Sequence, residues 1–209
     1  MGVRVTAGPH VLDAAHVVLA VPPPTLRPVT FDPPLGPDAA AMVAELGLGP
    51  ALKVARQFGH RFWTAAGWSG FTVADLPFHV AWDATDSMPG PSGILTQFVT
   101  GDAARRGAAL AARRRIGWFG TQLARVYPEG RALAMDNVAT MAWHDEPFTT
   151  GGYTVYRPGQ LTRFFPVLRR AVGPIWFAGE HTETMAGYME SAVRSGQRVA
   201  ASIGPPAPA

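Results

Sequence analysis

A short apolar strand that ends in glycine, followed by a long amphipathic helix, constrains the fold more than any other part of this sequence. The residues from Ile175 to Gly179 predict a buried strand, and residues 188–203 predict a helix with apolar side chains at 189, 192, 193, 199, 200 and 203. The continuous β-branched and apolar run from His16 to Val21 is typical of a buried parallel strand.

Composition narrows the possible functions. The chain has 209 residues, 47% hydrophobic and 16% charged, which is typical of a folded protein with a sizeable core. It has no cysteine, so disulfides, thiolate metal sites and thiol catalysis are excluded. No run approaches the ~18 apolar residues of a membrane span, and the five-residue run Val17–Val21 is too short for a signal peptide. We expect a cytoplasmic protein with no membrane span and no metal site.

Three motifs resemble functional sites but lack a required feature. Gly47-Leu48-Gly49 begins like a dinucleotide fingerprint, but the third glycine is replaced by Leu52 and the segment enters a strand. His181-Thr182-Glu183 resembles a deaminase motif, whose chemistry needs cysteine ligands. A predicted helix from Asp102 to about Val126 carries a basic patch without interleaved aromatic residues, which favours a solvated face over nucleic-acid binding. The patch consists of Arg105, Arg106, Arg113, Arg114 and Arg115.

The basic residues are 17 arginines and one lysine, Lys53. Residues 52–58 alternate like a strand. One face carries Lys53, Ala55 and Gln57, and the other carries Leu52, Val54, Arg56 and Phe58. A lysine ammonium is compact, can shift its pKa and can hold a water molecule, which an arginine does less well. At this point two explanations for the single lysine remain open: that Lys53 has no special role, and that it has a chemical one.

A set of segments spread in order over the whole chain points to one protein family. The C-terminal segments are Phe177-Ala178-Gly179-Glu180, Gly187-Tyr188-Met189 and Ser195-Gly196. The others are residues 17–23, 31–35, 51–54 and 61–63, Trp143, residues 151–153 and residues 158–159. Each segment alone is a weak sign of family membership, but the complete set in this order is a specific one. It resembles the second half of the FAD-dependent amine oxidases, which include monoamine, polyamine and L-amino-acid oxidases.

This resemblance implies an architecture. The expected fold is α/β and corresponds to the C-terminal half of a two-domain flavoprotein oxidase. Residues 1–23 and 141–204 would form part of the FAD-binding domain. Residues 24–140 would form the substrate domain, a mixed sheet backed by helices, and residues 205–209 would be a tail.

The resemblance also assigns roles to individual residues. The residues expected to bind the cofactor are Trp143, Gly179, Glu180, Gly187, Tyr188 and Met189. The N-terminus of the last helix would direct its free N–H groups and positive dipole at the pyrimidine edge of the flavin. Tyr153 and Tyr188 would flank the path of the amine, with Tyr156 as an alternative to Tyr153. Lys53 would hold a water molecule against flavin N5 and act in catalysis.

Two departures from the family pattern matter. The N-terminal half of the family, which carries the glycine-rich dinucleotide fingerprint, has no counterpart in this sequence. Some relatives tether FAD through a cysteine just before the aromatic residue that matches Tyr153. Gly152 occupies that position here, so we expect FAD to bind non-covalently.

The function implied by the resemblance is oxidative deamination of an amine. Hydride would pass from the carbon that bears the nitrogen to flavin N5, giving an imine, and O2 would reoxidise the flavin and yield H2O2. The expected partners are a small-molecule amine, O2 and either a separate N-terminal FAD-binding chain or a second copy of this chain, with no nucleic acid. The alternatives are a non-catalytic fragment or subunit, and a related FAD-dependent desaturase or porphyrinogen oxidase.

Overall fold

A computed structural model describes residues 2–204, apart from the side chain of Ala132, so the predicted tail 205–209 lies outside the described residues. The strands are β1 (Val3–Ala7), β2 (His10–Ala14), β3 (Val17–Leu19), β4 (Gly47–Leu48), β5 (Ala51–Phe58), β6 (Thr72–Val73), β7 (Val80–Asp83), β8 (Gly93–Thr100), β9 (Ala134–Ala142), β10 (Thr154–Val155) and β11 (Ile175–Phe177). The α-helices are α1 (Pro37–Glu45), α2 (Phe62–Ala65), α3 (Gly101–Ala109), α4 (Ala112–Leu123), α5 (Gly130–Leu133), α6 (Gln160–Leu168) and α7 (Met189–Ile203). Two short 3₁₀ helices span Pro23–Leu26 and Glu180–Thr182.

Contacts within the chain define two compact units. Unit 1 contains the described residues up to Leu48 and from Pro147 onward, and unit 2 is Gly49–Glu146. This division groups residues 24–48 with unit 1 and residues 141–146 with unit 2, whereas the sequence placed residues 24–48 with the substrate domain and residues 141–146 with the FAD-binding domain. The assignment of a flavin role to one part and a substrate role to the other stays a prediction. The mixed α/β class is confirmed.

Unit 2 is built on an antiparallel sheet with the strand order β6-β7-β8-β5-β9. Strand β5 pairs with β8 and β9, and its side chains Leu52, Val54 and Phe58 are fully buried. They pack in one core with Phe119 and Leu123 of α4. The alternation predicted for residues 52–58 is therefore confirmed, and Lys53 lies on the opposite face of the sheet from this core.

Unit 1 contains three pairs of strands and a core of its own. Strands β1 and β2 form an antiparallel hairpin, β4 pairs antiparallel with β10, and β3 pairs parallel with β11. The core combines buried side chains from α1, α6 and β11, including Met42, Phe164 and Phe177. This packing supports the end of β11, from which the loop toward α7 departs.

The parallel pairing predicted for the His16–Val21 run is confirmed, but its full burial is wrong. Val18, in the middle of β3, is 44% exposed. The reason is that β11 is the only strand paired with β3 in the described part of the chain. Parallel strands normally lie in sheets covered on both faces, so the exposure of this pair is unusual.

The single helix predicted from Asp102 to about Val126 is also wrong. The chain forms α3 and α4, separated by an extended Leu110. Arg115 of α4 turns back and donates hydrogen bonds to the carbonyl oxygens of Gly107, Ala108 and Leu110. These bonds satisfy carbonyls that α3 leaves open at its C-terminus. Arg115 is thus a capping residue, not part of a solvated face.

The segment from Phe62 to Asp86, rich in Trp, Phe and Val with glycine and proline breaks, favours a β-meander by its composition, but its first residues form helix α2. The aromatic side chains there fill the core instead of alternating along strands. Trp63 is fully buried and donates its indole N–H to Asp83 Oδ2 over 2.9 Å. Phe62 packs edge-to-face against Phe58 and Tyr127. Tertiary packing of these rings therefore overrides the local strand preference of the segment.

The sequence also predicts Asp38 and Asp102 as helix caps, because aspartate is a preferred N-cap residue, but neither of them caps its helix. Helix α1 begins after Gly36 and helix α3 after Thr100, and neither start has a side-chain cap. Asp38 and Asp102 lie instead in the first turns. There the carboxylates interact favourably with the helix dipole.

Candidate functional site

The chain turns sharply at Gly179, directly after β11. Gly179 has φ +128°, a conformation that is essentially restricted to glycine. A Cβ at this position would overlap the imidazole ring of His181. The Gly179 amide donates to Ser195 Oγ of α7 over 2.8 Å. Glycine is therefore required here by the packing of the loop, and its approach to a cofactor stays a prediction.

The carboxylate of Glu180 joins two segments that carry predicted site residues. Its Oε1 accepts hydrogen bonds from the backbone N–H of Thr154 (2.9 Å) and from Thr154 Oγ1 (2.7 Å). Its Oε2 accepts a hydrogen bond from the backbone N–H of Gly187 (2.6 Å). Glu180 thus fixes the strand after Tyr153 to the loop before Tyr188, a positioning role that the sequence did not indicate.

The structure brings Tyr153 to the start of α7. Gly187 has φ +89°, and a Cβ built there would lie 3.4 Å from Cγ of the Tyr153 ring. Tyr188 follows as the N-cap residue of α7 and is 61% exposed, and Met189 is 88% exposed. No side chain caps this helix start. Four of the predicted site residues therefore converge on one exposed helix N-terminus.

The Glu180→Gln substitution is expected to destabilise unit 1. A glutamine keeps one acceptor oxygen but presents an amide NH2 to a backbone donor, so either the Thr154 or the Gly187 hydrogen bond is lost. We expect a loss of about 1–3 kcal/mol in the free energy of unfolding, measured by urea titration. Glu190→Gln is the matched control, because the Glu190–Arg194 ion pair is largely exposed and contributes little. Equal stability of the two variants would contradict the positioning role of Glu180.

His181 and Tyr156 form the buried side of the same loop. Burial lowers the pKa of His181 to about 4, although the charge of Glu180 opposes this shift. The Tyr156 hydroxyl donates to the His181 carbonyl oxygen over 2.7 Å, and burial raises the pKa of Tyr156 to about 12. Tyr156 thus supports the loop from its buried side, whereas Tyr153 lies at the start of α7.

The buried His181 predicts a loss of stability in mild acid. Between pH 6.5 and pH 4 the unfolded chain binds a proton at this residue that the folded chain does not, so stability falls as the pH falls. We expect about 2 kcal/mol of this loss between pH 7 and pH 5 in urea titrations. A His181→Asn variant is expected to lack this component, whereas a variant of the exposed His10, His10→Asn, is expected to retain it. An unchanged pH dependence in His181→Asn would contradict the interpretation.

Two arginines bind Glu183, which lies two residues after His181 in the same loop. Glu183 accepts hydrogen bonds from Arg169 of the segment after α6 (2.6 Å) and from Arg198 of α7 (2.9 Å). Burial alone would raise the pKa of Glu183, but the two guanidinium groups outweigh it and the pKa lies below its usual range. The loop that leads to Tyr188 is therefore attached to helices on both sides.

Lys53 and Trp143 belong to unit 2. The Lys53 ammonium lies 5.6 Å from the ring centre of Trp82 and 6.0 Å from that of Phe98, within the range of cation–π attraction. The Trp143 amide donates to the Ala51 carbonyl oxygen over 2.9 Å, which places its backbone beside β5. The predicted site residues are thus divided between the two units.

Trp82 and Phe98 are candidate site residues that the sequence analysis missed. Phe98 faces Lys53 because β8 pairs with β5 in the register Lys53–Phe98, and Trp82 reaches it from β7. The aromatic content of residues 62–86 was visible in the sequence. Which ring would lie beside Lys53 depends on strand register, which that content does not specify.

Neither a metal site nor a membrane-spanning helix is found in the described part of the chain. Among residues 2–204 no group of three or more His, Asp or Glu side chains is placed to hold a metal ion. In the same range no helix is long and apolar enough to cross a membrane. The cytoplasmic location stays a prediction.

Comparison with known proteins identifies the family. The family model described as flavin containing amine oxidoreductase matches residues 1–204. This chain belongs to that family. The AofH protein of Mycobacterium tuberculosis is 33% identical over 205 residues, covering 97% of this chain and 44% of AofH. The flavin-containing amine oxidase B of Homo sapiens is 31% identical over 202 residues, covering 95% of this chain and 39% of the relative.

The fold agrees with this membership. The solved structure of cyclohexylamine oxidase from Brevibacterium oxydans matches 97% of the chain with a TM-score of 0.88 and 29% identity, over 45% of the oxidase. The predicted membership in the amine oxidase family is thus confirmed. The chain spans less than half the length of the relatives that it matches.

The described residues fit the FAD that the family implies. The start of α7 is exposed, lacks a side-chain cap and follows a glycine with positive φ, so its N–H groups are open to an acceptor. The flavin ring carries acceptor atoms along one edge and gains negative charge on reduction, which a helix N-terminus favours. Tyr188 and Met189 are exposed beside these N–H groups.

Proposed function

We propose that this chain supplies the C-terminal part of an FAD-dependent oxidase that oxidatively deaminates a small amine. The observation that carries the proposal is Lys53, the single lysine, held over two aromatic rings in a chain of the flavin-containing amine oxidoreductase family. The human relative is named as a flavin-containing amine oxidase, and cyclohexylamine oxidase is named for an amine.

When bound, FAD would supply the redox chemistry, a net transfer of two electrons from the amine to O2 with loss of a hydride from the carbon bearing the amine, so that the products would be an imine, hydrolysed by water, and H2O2. The proposed role of the residues of this chain is to bind the flavin and to orient the amine. In this proposal Gly187, Tyr188 and Met189 present the start of α7 to the flavin. Because Gly152 precedes Tyr153 and the chain has no cysteine, we expect no covalent attachment of FAD through a cysteine of this chain.

Tyr153 and Tyr188 are proposed to guide the amine. Aromatic rings attract cations through their π faces, and two rings in sequence favour an ammonium group over a neutral ligand of the same shape. Tyr153 lies against Gly187 and Tyr188 follows it directly, so both belong to the start of α7. This aromatic pair favours amine oxidation over the desaturase and porphyrinogen oxidase alternatives.

Lys53 is proposed to hold a water molecule beside the reacting centre and to contribute a positive charge there. Its position over Trp82 and Phe98 restricts the flexible lysine chain. A compact ammonium can donate to one water while keeping its charge local. Trp143 directly follows β9, and its amide bonds to Ala51 at the start of β5. We propose that Trp143 completes the side of unit 2 that contacts the cofactor.

A nucleotide-binding half is proposed as the partner of this chain, either as the rest of the same protein or as a separate polypeptide. The support is the share of the relatives that the chain covers and the half-exposed parallel pair of β3 and β11. The test is to combine the chain with the N-terminal half of a relative, load FAD, and assay amine-dependent formation of H2O2 over a panel of amines. Flavin-loaded protein that oxidises no amine in the panel would contradict the proposal.

Tyr188→Leu is expected to impair amine turnover in that reconstituted enzyme. We expect kcat/KM to fall by more than about fivefold, which exceeds the effect of a typical substitution, because an exposed π face is replaced by an aliphatic chain. Phe71→Leu, at an exposed aromatic residue of unit 2, is the control and is expected to leave kcat/KM unchanged. An unchanged kcat/KM in Tyr188→Leu would remove the aromatic pair from the mechanism.

A further inference from the structure

A concave cavity of about 210 Å³ lies in unit 2, on the helix-covered side of the sheet. Strand β5 and helices α4 and α5 contribute to it. Most of its lining is apolar, including Phe58, Ile116 and Tyr127, and its charged groups are Arg56 and Arg131. None of the described residues that line it is acidic.

Arg56 occupies a position where the strand pattern calls for an apolar side chain. Leu52, Val54 and Phe58 on the same face of β5 are fully buried, and Arg56 lies in the same row. The guanidinium donates one hydrogen bond, from Nη2 to the Ile116 carbonyl oxygen (2.8 Å). Its Nε is buried without a hydrogen-bond partner among the described residues. A buried donor without a partner is costly and calls for an explanation.

Helix α4 is shaped around this guanidinium. A Cβ at Gly120 would lie 3.0 Å from Arg56 Nη2, so a larger side chain would displace the group. A Cβ at Gly117, which also lines the cavity, would meet no atom within 4 Å. Burial lowers the pKa of Arg56, and the charge of Asp136 offsets this only in part. No carboxylate forms an ion pair with Arg56 in the part of the chain that the structure describes.

The chain segment that contributes α4 and α5 to the cavity carries a net positive charge. Residues 101–133 contain seven arginines and two acidic residues, a net charge of +5 in a chain whose total is +3. None of these seven arginines forms an ion pair with a described residue. A concave site surrounded by one sign of charge raises the local concentration of ligands of the opposite sign.

We propose that this cavity binds a small organic monocarboxylate with an apolar body. The planar guanidinium groups of Arg56 and Arg131 match the geometry of a carboxylate. The half-buried side chains of Ile116 and Ala124 provide apolar walls. Phe58 and Tyr127 lie beneath them in the core, where the Tyr127 hydroxyl is bonded to Thr72 Oγ1 (2.6 Å). The volume is below the ~300 Å³ at which pockets for drug-sized ligands begin, which restricts the body to about one ring.

This site does not depend on flavin, so the test uses the 209-residue chain itself. Isothermal titration with phenylacetate is compared with phenylacetamide, which has a similar shape and no charge. We expect saturable binding of phenylacetate and binding at least about tenfold weaker for phenylacetamide, since the amide loses the charge-assisted hydrogen bonds. Equal affinity for both probes, or no saturation up to about 10 mM phenylacetate, would overturn the proposal.

Three variants locate the binding. Arg56→Met is expected to weaken phenylacetate binding by at least about tenfold, and Arg113→Met, which changes an arginine of α4 outside the lining, by less than about twofold. Gly117→Leu leaves all charges in place and fills the cavity, so it is expected to abolish binding even if Arg56→Met fails to fold. Phenylacetate binding that persists in Gly117→Leu, or a loss in Arg113→Met equal to that in Arg56→Met, would overturn the site.

Discussion

A Lys53→Met substitution in the flavin-loaded, reconstituted enzyme is expected to slow reoxidation by O2 by about tenfold or more, which corresponds to about 1.4 kcal/mol in the activation barrier. The physical reason is the loss of a localised positive charge and of the water molecule that it is proposed to hold. Methionine keeps the length and the apolar stem of the side chain, which packs beside Trp82 and Phe98. Flavin binding is therefore expected to stay intact.

Stopped-flow mixing of the reduced enzyme with O2 measures this rate directly, and flavin absorbance after desalting measures binding. Lys53→Arg is expected to restore little, because a guanidinium is longer and planar and spreads its charge. Arg106→Met, which removes one exposed positive charge from α3, serves as the control for a general change in charge and is expected to keep the parent rate. A parent rate of reoxidation in Lys53→Met would mean that the single lysine has no role in the reaction with O2.

The chain alone is expected to lose FAD on desalting, and to retain it once the nucleotide-binding half of a relative is added. Much of the affinity for a dinucleotide comes from a glycine-rich loop between a strand and a helix, which cradles the phosphates. The nearest candidate, Gly47-Leu48-Gly49, cannot serve. Gly47 and Leu48 form β4 and pair with Val155 and Thr154, and the chain continues into β5.

The measurement is the ratio of flavin to protein absorbance after desalting, for the chain alone and for the complex. We expect less than about one flavin per ten chains in the first case and close to one per chain in the second, because no glycine-rich loop that could cradle the phosphates lies among the described residues. The same samples test association by size-exclusion chromatography. The half-exposed β3 and the exposed β1–β2 hairpin predict that the chain alone self-associates and that the added half suppresses this. A yellow, monomeric chain with stoichiometric flavin would contradict both expectations.

Local pattern was sufficient for several parts of the fold. The alternation of residues 52–58 predicted β5 and the face on which Lys53 lies, because side chains of a strand alternate whatever their partners. The apolar segments 175–179 and 188–203 predicted β11 and α7 to within two residues at each end. These elements depend on residues close in sequence. The resemblance that revealed the family likewise rests on short segments in order.

The division of the Arg-rich helix shows where local pattern fails. Residues 102–126 are compatible with one helix by composition, and the break at Leu110 is stabilised by Arg115 reaching back to three carbonyl oxygens. The aromatic residues 62–63 read locally as strand, yet burial of Trp63 against Asp83 favours a helix. In both cases a contact between distant or reversed segments supplies more free energy than local propensity.

The sequence by itself determined the α/β class, the family and the residue types of the candidate site, which include Lys53, Tyr153 and Tyr188. Only the tertiary structure decided what each group does there. It turned the Glu180 carboxylate toward Thr154 and Gly187, placed Trp82 and Phe98 beside Lys53, and left Arg56 in a core row with a hydrogen bond to the Ile116 carbonyl oxygen. The physical reason is that periodicity specifies which face a side chain occupies, whereas strand register and loop geometry decide which distant group it meets.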